Sequence, residues 1–183
     1  MSSTKELKVL PFIKGCQIRL LSKEDEAEDS ADKYLAEASY DGEPDSEVFY
    51  VAPHWHKYHD EYMSVTEGRL EVTVEGITRI IIAGDDPAFI PRWHVHSMKG
   101  FKGEKLVFQE KAVPAGPTKA LFFNDLLSQG PDVKIPHALR VFWDGDTYPS
   151  LPGNIKLLDQ IFMLVLGGIA KVTLFWDRRP KHF

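Results

Sequence analysis

The sequence predicts a mainly β protein, a sandwich or a barrel, with a helical C-terminal extension. Short alternating strands separated by turn residues follow one another between residues 48 and 111. After Pro114 the apolar residues recur at helical spacing instead. A chain of 183 residues can bury one core, so we expect a single domain, 1–183. Within it, residues 1–46 hold N-terminal strands and an acidic loop, 47–114 the barrel core and 115–183 the extension.

The N-terminal part divides into an apolar and an acidic half. Residues Val9 to Leu21 alternate loosely, which predicts one or two strands separated near Gly15. The segment from Lys23 to Glu47 is rich in Asp and Glu, and we interpret it as a solvated loop or short helix. An Asp41-Gly42-Glu43-Pro44 turn ends it.

The central part reads as a series of short strands. Leu70, Val72 and Val74 alternate with polar residues, which is typical of a half-buried antiparallel strand. Gly76 turns the chain into the next strand, Ile77 to Ile82. The other predicted strands are Val48 to Val51, Tyr62 to Thr66, Ala88 to Ile90, Trp93 to Met98 and Lys105 to Lys111.

The C-terminal part predicts three helices. Short helices are expected over Lys119 to Leu127 and Pro136 to Trp143, before a loop rich in Gly and Pro. A longer apolar helix runs from Ile155 to Trp176, interrupted by Gly167-Gly168. We consider three alternative locations for this helix: it packs on the outside of the barrel or in a dimer interface, it covers the barrel mouth, or it lies on a membrane surface.

Composition excludes several classes of function. The net charge of −5 argues against a nucleic-acid-binding protein, since phosphate binding needs a basic surface. The single cysteine, Cys16, permits no intramolecular disulfide and fits a cytoplasmic location. The N-terminus lacks the apolar core of a secretory signal. The apolar C-terminal run is shorter than the ~20 residues that span a bilayer, which leaves only peripheral membrane contact open.

Histidines and a carboxylate in the central part predict a metal site. His54 and His56 share one face if they lie on a strand, because side chains alternate with a period of two. Glu61 reaches the same place if the chain turns between Tyr58 and Asp60 and returns on a neighbouring strand. A further strand supplies the closing ligand, for which we choose His96.

These residues resemble the motifs of the cupin family. His54, His56, Glu61 and Gly68 match its first motif, His-x-His, four residues, Glu, six residues, Gly, without a gap. The second motif maps to Gly84, Pro91 and His96, with one extra residue after Gly84 and with Trp93 in place of a glycine. The resemblance covers about residues 45–112 and implies a double-stranded β-helix, or jelly-roll barrel, of the single-domain (monocupin) type. The apolar C-terminal helix resembles that of small fungal cupins.

The resemblance also implies a metal inside the barrel, held by His54, His56, Glu61 and His96. Three imidazoles and one carboxylate suit a divalent transition metal such as Fe, Mn, Ni, Cu or Zn. Four protein ligands on an octahedral ion leave two positions for water, dioxygen or a substrate.

Two further histidines are candidate catalytic residues. On a strand from Trp93 to Met98, His94 would face the same way as His96, so it is either an acid or base beside the metal or the true ligand. His59, on the loop between the first-motif strands, is a candidate proton shuttle. By strand parity the pocket is lined by apolar side chains, which form barrel core in the plainer interpretation: Met63, Val65, Val72 and Met98.

These residues together predict a metal-dependent enzyme acting on a small, partly apolar or aromatic molecule. Dioxygenase-type oxidation is the first hypothesis. A redox-neutral isomerase, cyclase, dehydratase or decarboxylase would use the same ligands, with the metal as a Lewis acid. The alternative from another class is a non-catalytic small-molecule-binding cupin. We expect a homodimer.

Overall fold

The computed structural model describes residues 3–174. Within that part of the chain it is mainly β, as predicted, with helices at the C-terminal side. The strands are β1 Thr4–Pro11, β2 Cys16–Lys23, β3 Tyr34–Tyr40, β4 Tyr50–Trp55, β5 Asp60–Glu67, β6 Arg69–Val74, β7 Ile77–Ile82, β8 Ala88–Ile90, β9 His96–Lys99, β10 Leu106–Val113 and β11 Tyr148–Pro149. The helices are α1 Thr118–Leu126, α2 Ile135–Asp144, α3 Lys156–Phe162 and α4 Gly168–Thr173, with a π-helical turn, Met163–Gly167, joining the last two.

The strands form two antiparallel sheets. One has the order β1-β2-β3-β10-β5-β8 and the other β11-β4-β9-β6-β7. A single buried cluster draws side chains from both sheets, among them Leu20, Tyr40, Met63, Leu70 and Phe108. The two sheets therefore pack face to face around one core, as in a jelly roll.

Alternation along β5 and β6 agrees with the sequence prediction. Glu61, Met63 and Val65 are buried on β5, and Leu70 and Val72 are buried on β6. Gly68 joins the two strands with φ +76°, and a Cβ there would lie 2.0 Å from the Lys105 carbonyl oxygen. Only glycine fits both the left-handed backbone and that contact, which explains its place in the motif.

The prediction that Lys23 to Glu47 is a solvated loop or short helix was wrong. Tyr34–Tyr40 forms β3, which pairs with β2 and with β10 inside the six-stranded sheet. Two of its buried side chains are only alanines, Ala36 and Ala38, and the acidic residues on either side of the strand hid the alternation. Glu37 at its centre pairs with Arg19 (3.0 Å) and accepts a hydrogen bond from Gln109 (2.9 Å). The N-terminal strands thus share a sheet with strands of residues 47–114.

The predicted strand Trp93 to Met98 is shorter in the structure. β9 begins only at His96, because Trp93 has φ +65° and turns the chain. The motif's glycine position therefore keeps a glycine-like backbone although it holds a tryptophan. Trp93 is fixed by a stack on Trp55, with ring centroids 4.9 Å apart, and by a hydrogen bond from its N–H to the His56 carbonyl.

The helices pack together at one side of the barrel. α1 and α2 fall close to their predicted positions, and the long apolar helix runs from Lys156 to Thr173 through the π-helical turn. Its buried residues Asp159, Met163, Gly167 and Ala170 recur at helical spacing, and a Cβ at Gly167 would lie 3.1 Å from a Trp143 ring carbon of α2. The predicted end of this helix, Trp176, lies outside the described residues. None of the helices in residues 3–174 is long and apolar enough to cross a bilayer.

Candidate metal centre

Four predicted side chains meet between the two sheets. His54 comes from β4, His56 follows directly after β4, Glu61 lies on β5 and His96 begins β9. One nitrogen or oxygen atom from each lies within 4.8 Å of those of the others. His56, Glu61 and His96 are 2%, 1% and 2% exposed, so the group is shielded from water. This buried group could hold a metal ion.

The backbone fixes the tautomer of all three histidines. The Nδ1 atoms of His54, His56 and His96 lie 2.9, 2.8 and 3.0 Å from the carbonyl oxygens of Ala52, Asp146 and His94. A carbonyl only accepts, so each Nδ1 carries the hydrogen and donates it. Each Nε2 is therefore left as a lone-pair donor, as in many metal sites where a second partner orients the imidazole.

The geometry around Glu61 fits a cation. The Nε2 atom of His56 lies 3.0 Å from Glu61 Oε1, and that of His96 lies 3.0 Å from Glu61 Oε2. With hydrogens on Nδ1, lone pairs face lone pairs across both gaps, and these Nε2 atoms have no hydrogen-bond partner. Neighbouring ligand atoms on an octahedral ion with bonds of about 2.1 Å lie about 3.0 Å apart. A metal ion would thus replace two repulsive contacts with four favourable ones.

The protonation states also suit metal binding. Burial, followed by the nearby His96 and His56, holds the pKa of His54 well below its usual value. Burial likewise lowers the pKa of His56 to about 4. Burial alone would raise the pKa of the Glu61 carboxyl, but its neighbours, of which the Lys119 ammonium carries a charge at neutral pH, bring it well below the usual value. At neutral pH His54, His56 and Glu61 are therefore in the deprotonated forms that metals require.

His59 lies beside this group and forms a pair with Asp146. Its Nδ1 atom is 3.1 Å from Asp146 Oδ2 and its Nε2 atom is 3.5 Å from Glu61 Oε1. Burial alone would lower the pKa of His59, but the Asp146 and Glu61 carboxylates outweigh it and raise the pKa. Asp146 also accepts hydrogen bonds from the backbone N–H groups of Lys57 and Tyr58. It therefore orients both His59 and the turn that separates β4 from β5.

His94 does not join the metal group. It lies on the loop before β9, and its Nδ1 atom bonds to the Arg92 carbonyl at 3.0 Å. Among residues 3–174 it belongs to neither of the two side-chain groups that could hold a metal. The structure thus brings His96, rather than His94, beside His54, His56 and Glu61.

Two site residues had no signal in the sequence. Lys119 on α1 extends into the barrel, where its Nζ contacts Glu61 Oε1 and lies 2.6 Å from Glu110 Oε1 of β10. Asp146 lies on the loop after α2. Lys119 and Asp146 are 58 and 85 residues from Glu61 along the chain, and only the packing of the helices on the barrel brings them there.

A cavity of about 230 Å³ lies next to the metal group, with His54 and His56 in its wall. Of the predicted pocket residues, Met98 lines it. Met63, Val65 and Val72 are buried in the core and are not in its wall, which agrees with the plainer interpretation. Six phenylalanine side chains, from the loops before β2 and β4, from β10 and from α1 and α2, also line the cavity: Phe12, Phe49, Phe108, Phe122, Phe123 and Phe142.

Solved structures offer partial likenesses. The chain is similar to KdgF from a Halomonas species, with 20% identity over 61% of this chain and 86% of that one and a TM-score of 0.42. It is similar to the cupin domain of Cnp3 from Schizosaccharomyces pombe, with 17% identity, 62% and 72% coverage and a TM-score of 0.43. A mutant salicylate 1,2-dioxygenase from Pseudoaminobacter salicylatoxidans aligns with 18% identity over 43% of this chain and 21% of that one, with a TM-score of 0.37.

Comparisons with protein-family models and with curated proteins find no match. The assignment of the fold depends instead on the chain's own features. Two antiparallel sheets enclose one core, and the His54, His56, Glu61 and Gly68 motif lies along β4 and β5 with His96 beside it on β9. This strand order and motif placement give the chain the cupin-type jelly-roll fold that its sequence resembles.

Proposed function

We propose that this protein is a metal-dependent enzyme acting on a small, partly apolar or aromatic molecule, with dioxygenase-type oxidation as its reaction. The supporting observation is that a buried group of three histidines and one carboxylate adjoins an apolar cavity. His54 and His56 belong to both, so a molecule in the cavity would lie beside the ion. Burial of this kind is a common feature of sites that exclude water from a reaction.

Different residues of the chain would have different roles in this reaction. His54, His56, Glu61 and His96 would hold Fe, Mn, Ni, Cu or Zn, and the bound ion would supply Lewis acidity or redox chemistry at its open positions. The phenylalanine wall would orient the substrate and exclude water. His59 would hold a proton beside Glu61, with Asp146 positioning its ring.

A redox-neutral reaction is the second candidate. Lys119 and His59, two side chains able to exchange protons, both contact Glu61 at the edge of the group. Isomerisation, cyclisation, dehydration or decarboxylation needs such proton transfer beside a Lewis acid. A binding protein without catalysis is the alternative from another class, and it would need the cavity but not the metal ligands.

Oxygen consumption separates these candidates. Iron-loaded protein is mixed with phenols and 1,3-diketones in an oxygen electrode, and products are identified by mass spectrometry. We expect uptake that is lost in His96→Ala and kept in Lys99→Ala, a matched control whose exposed side chain lies on the same strand. Product formation without oxygen uptake would favour the redox-neutral reaction. Ligand binding that survives His56→Ala, without turnover of any compound, would contradict the proposal of an enzyme.

A cytoplasmic location also belongs to this proposal, supported by the single buried cysteine. Burial, followed by the nearby Asp41 and Glu47 carboxylates, raises the pKa of the Cys16 thiol to about 12. A buried thiol of this kind stays protonated and unreactive, so it takes no part in the proposed chemistry.

A further inference from the structure

The cavity beside the metal group has an uneven distribution of charge. Its wall is mostly aromatic and aliphatic, and among its lining residues in the described part of the chain only Glu110 and Lys119 carry a full charge. Both lie at the end of the cavity nearest Glu61, since Lys119 contacts both carboxylates. A ligand would therefore meet an apolar wall over most of its surface and a charged group at one end.

Lys119 is held where it could meet a ligand. Its side chain is 11% exposed, and its ammonium lies 5.7 Å from the ring centroids of Phe122 and Phe123 on the same helix. A buried ammonium needs partners for its three N–H donors. Here Glu61 and Glu110 contact the ammonium with one carboxylate oxygen each, which accounts for two of the three donors. If Glu61 binds a metal, the oxygen that Lys119 contacts is shared with a cation, and Lys119 has donor capacity left for another anion.

The charges of the site lead to the same conclusion. Glu61, Glu110 and Lys119 in their ordinary ionised forms sum to one negative charge. Imidazoles bind a metal in their neutral form and add nothing, and His59 with Asp146 cancel as an ion pair. A divalent ion then brings the sum to one positive charge. An uncompensated charge in a buried site is costly, so a ligand with one negative charge would complete the balance.

We propose, resting on the metal-dependent function above, that the cavity takes small monoanions with an apolar or single-ring body, such as a carboxylate, phenolate or enolate. Lys119 recognises the anionic group beside the metal centre, and the phenylalanine wall holds the body. Glu110 keeps Lys119 in place and, by its own charge, selects against ligands with two negative charges. Lys119 thus determines the substrate class of the site.

Binding of carboxylates and their neutral amides to zinc-loaded protein tests this inference without turnover. Benzoate and phenylacetate are compared with benzamide and phenylacetamide, which have nearly the same shape, by titration calorimetry. We expect the carboxylates to bind the wild type at least about tenfold more tightly than the amides. Lys119→Met should remove that preference, and Lys119→Arg should keep most of it. Lys134→Met, at an exposed position before α2, is the control that should bind like the wild type.

Lys119→Met leaves Glu110 buried without its cation and could lower stability. The double variant Glu110→Gln with Lys119→Met removes both charges, and it should fold and still lack the carboxylate preference. Carboxylates and amides binding the wild type equally, or a preference unchanged without Lys119, would overturn the inference while zinc binding upholds the metal site. Zinc absent from the wild type would instead overturn the proposed function, and this inference with it.

Discussion

Backbone carbonyls from three different segments orient the three histidines of the candidate metal centre. Ala52 lies on the same strand as His54, Asp146 on the loop after α2 and His94 on the loop before β9. Each bond leaves Nε2 free of hydrogen. These side chains thus already have the orientation that a metal ion would need, and little ordering entropy would be lost on binding.

Acid should destabilise the metal-free protein between about pH 6.5 and pH 4. In this range the unfolded chain protonates its histidines, whereas the lowered pKa values keep His54 and His56 neutral in the folded chain. The free energy of unfolding then falls by up to about 1.4 kcal/mol per pH unit for each such proton. Urea titrations at a series of pH values measure this fall in the free energy of unfolding.

His59 changes the pH dependence of the free energy of unfolding in the opposite direction. Its pKa is raised on folding, so its stabilisation is present below about pH 6.5 and is lost as the pH rises through the folded value. The free energy of unfolding of the His59→Asn variant should therefore show no decline above pH 6.5. It should still fall in acid, as in the wild type. Stability that does not change between pH 4 and pH 6.5 would contradict the burial of neutral histidines.

At Trp93, substitution by glycine should destabilise the protein less than substitution by alanine. Both Trp93→Gly and Trp93→Ala lose the stack on Trp55. At φ +65° alanine is strained and glycine is not, so the glycine variant should be the more stable by about 1 kcal/mol. Urea denaturation of the two variants checks this order. An alanine variant equal to or better than glycine would show that the left-handed turn is absent.

At the scale of elements, the C-terminal helices pack through a narrow buried stripe. Gly167 and Gly168 are neighbours with different surroundings. A Cβ at Gly168 would lie 3.8 Å from the Trp143 ring, which is ordinary contact, whereas one at Gly167 would lie 3.1 Å from that ring and 2.9 Å from Met163 Cε. Gly168 therefore has room for a methyl side chain, and Gly167 has little.

This difference predicts that an alanine substitution is tolerated better at Gly168 than at Gly167. Gly168→Ala should raise the free energy of unfolding by about 0.5–1 kcal/mol, because alanine favours a helix. Gly167→Ala should gain less or lose stability, because Trp143 must shift. Equal effects in chemical denaturation would contradict the close packing of this helix on α2.

At the scale of the whole molecule, the outer face of the C-terminal helix is strongly apolar. Leu157, Leu164 and Val172 are 64%, 64% and 76% exposed. A patch of this kind is usually covered in solution, and a second copy of the chain is the partner we expect. Sedimentation velocity should show a dimer that Leu157→Glu with Leu164→Glu converts to a monomer. A wild-type monomer that binds anionic vesicles would instead favour membrane contact.

The sequence predicted the fold class and the metal group because both depend on local patterns. His54 and His56 lie two residues apart at the end of β4, where a period of two places both side chains on one face, and Glu61 follows after a single turn near the start of β5, in the facing sheet. β3 was missed because its inward alanines lie among acidic residues, and its partner β10 is distant along the chain. Lys119 and Asp146 reach the site through tertiary packing alone. No local pattern carries that information.

Metal content decides whether His54, His56, Glu61 and His96 bind an ion. Protein purified without chelator, and chelated protein reloaded in turn with Fe, Mn, Ni, Cu and Zn, is analysed by mass spectrometry after desalting. We expect about one equivalent per chain in the wild type and in Lys99→Ala, and below about a tenth of an equivalent in His56→Ala and Glu61→Ala. Below a tenth of an equivalent of every metal in the wild type would show that these four side chains do not form a metal site.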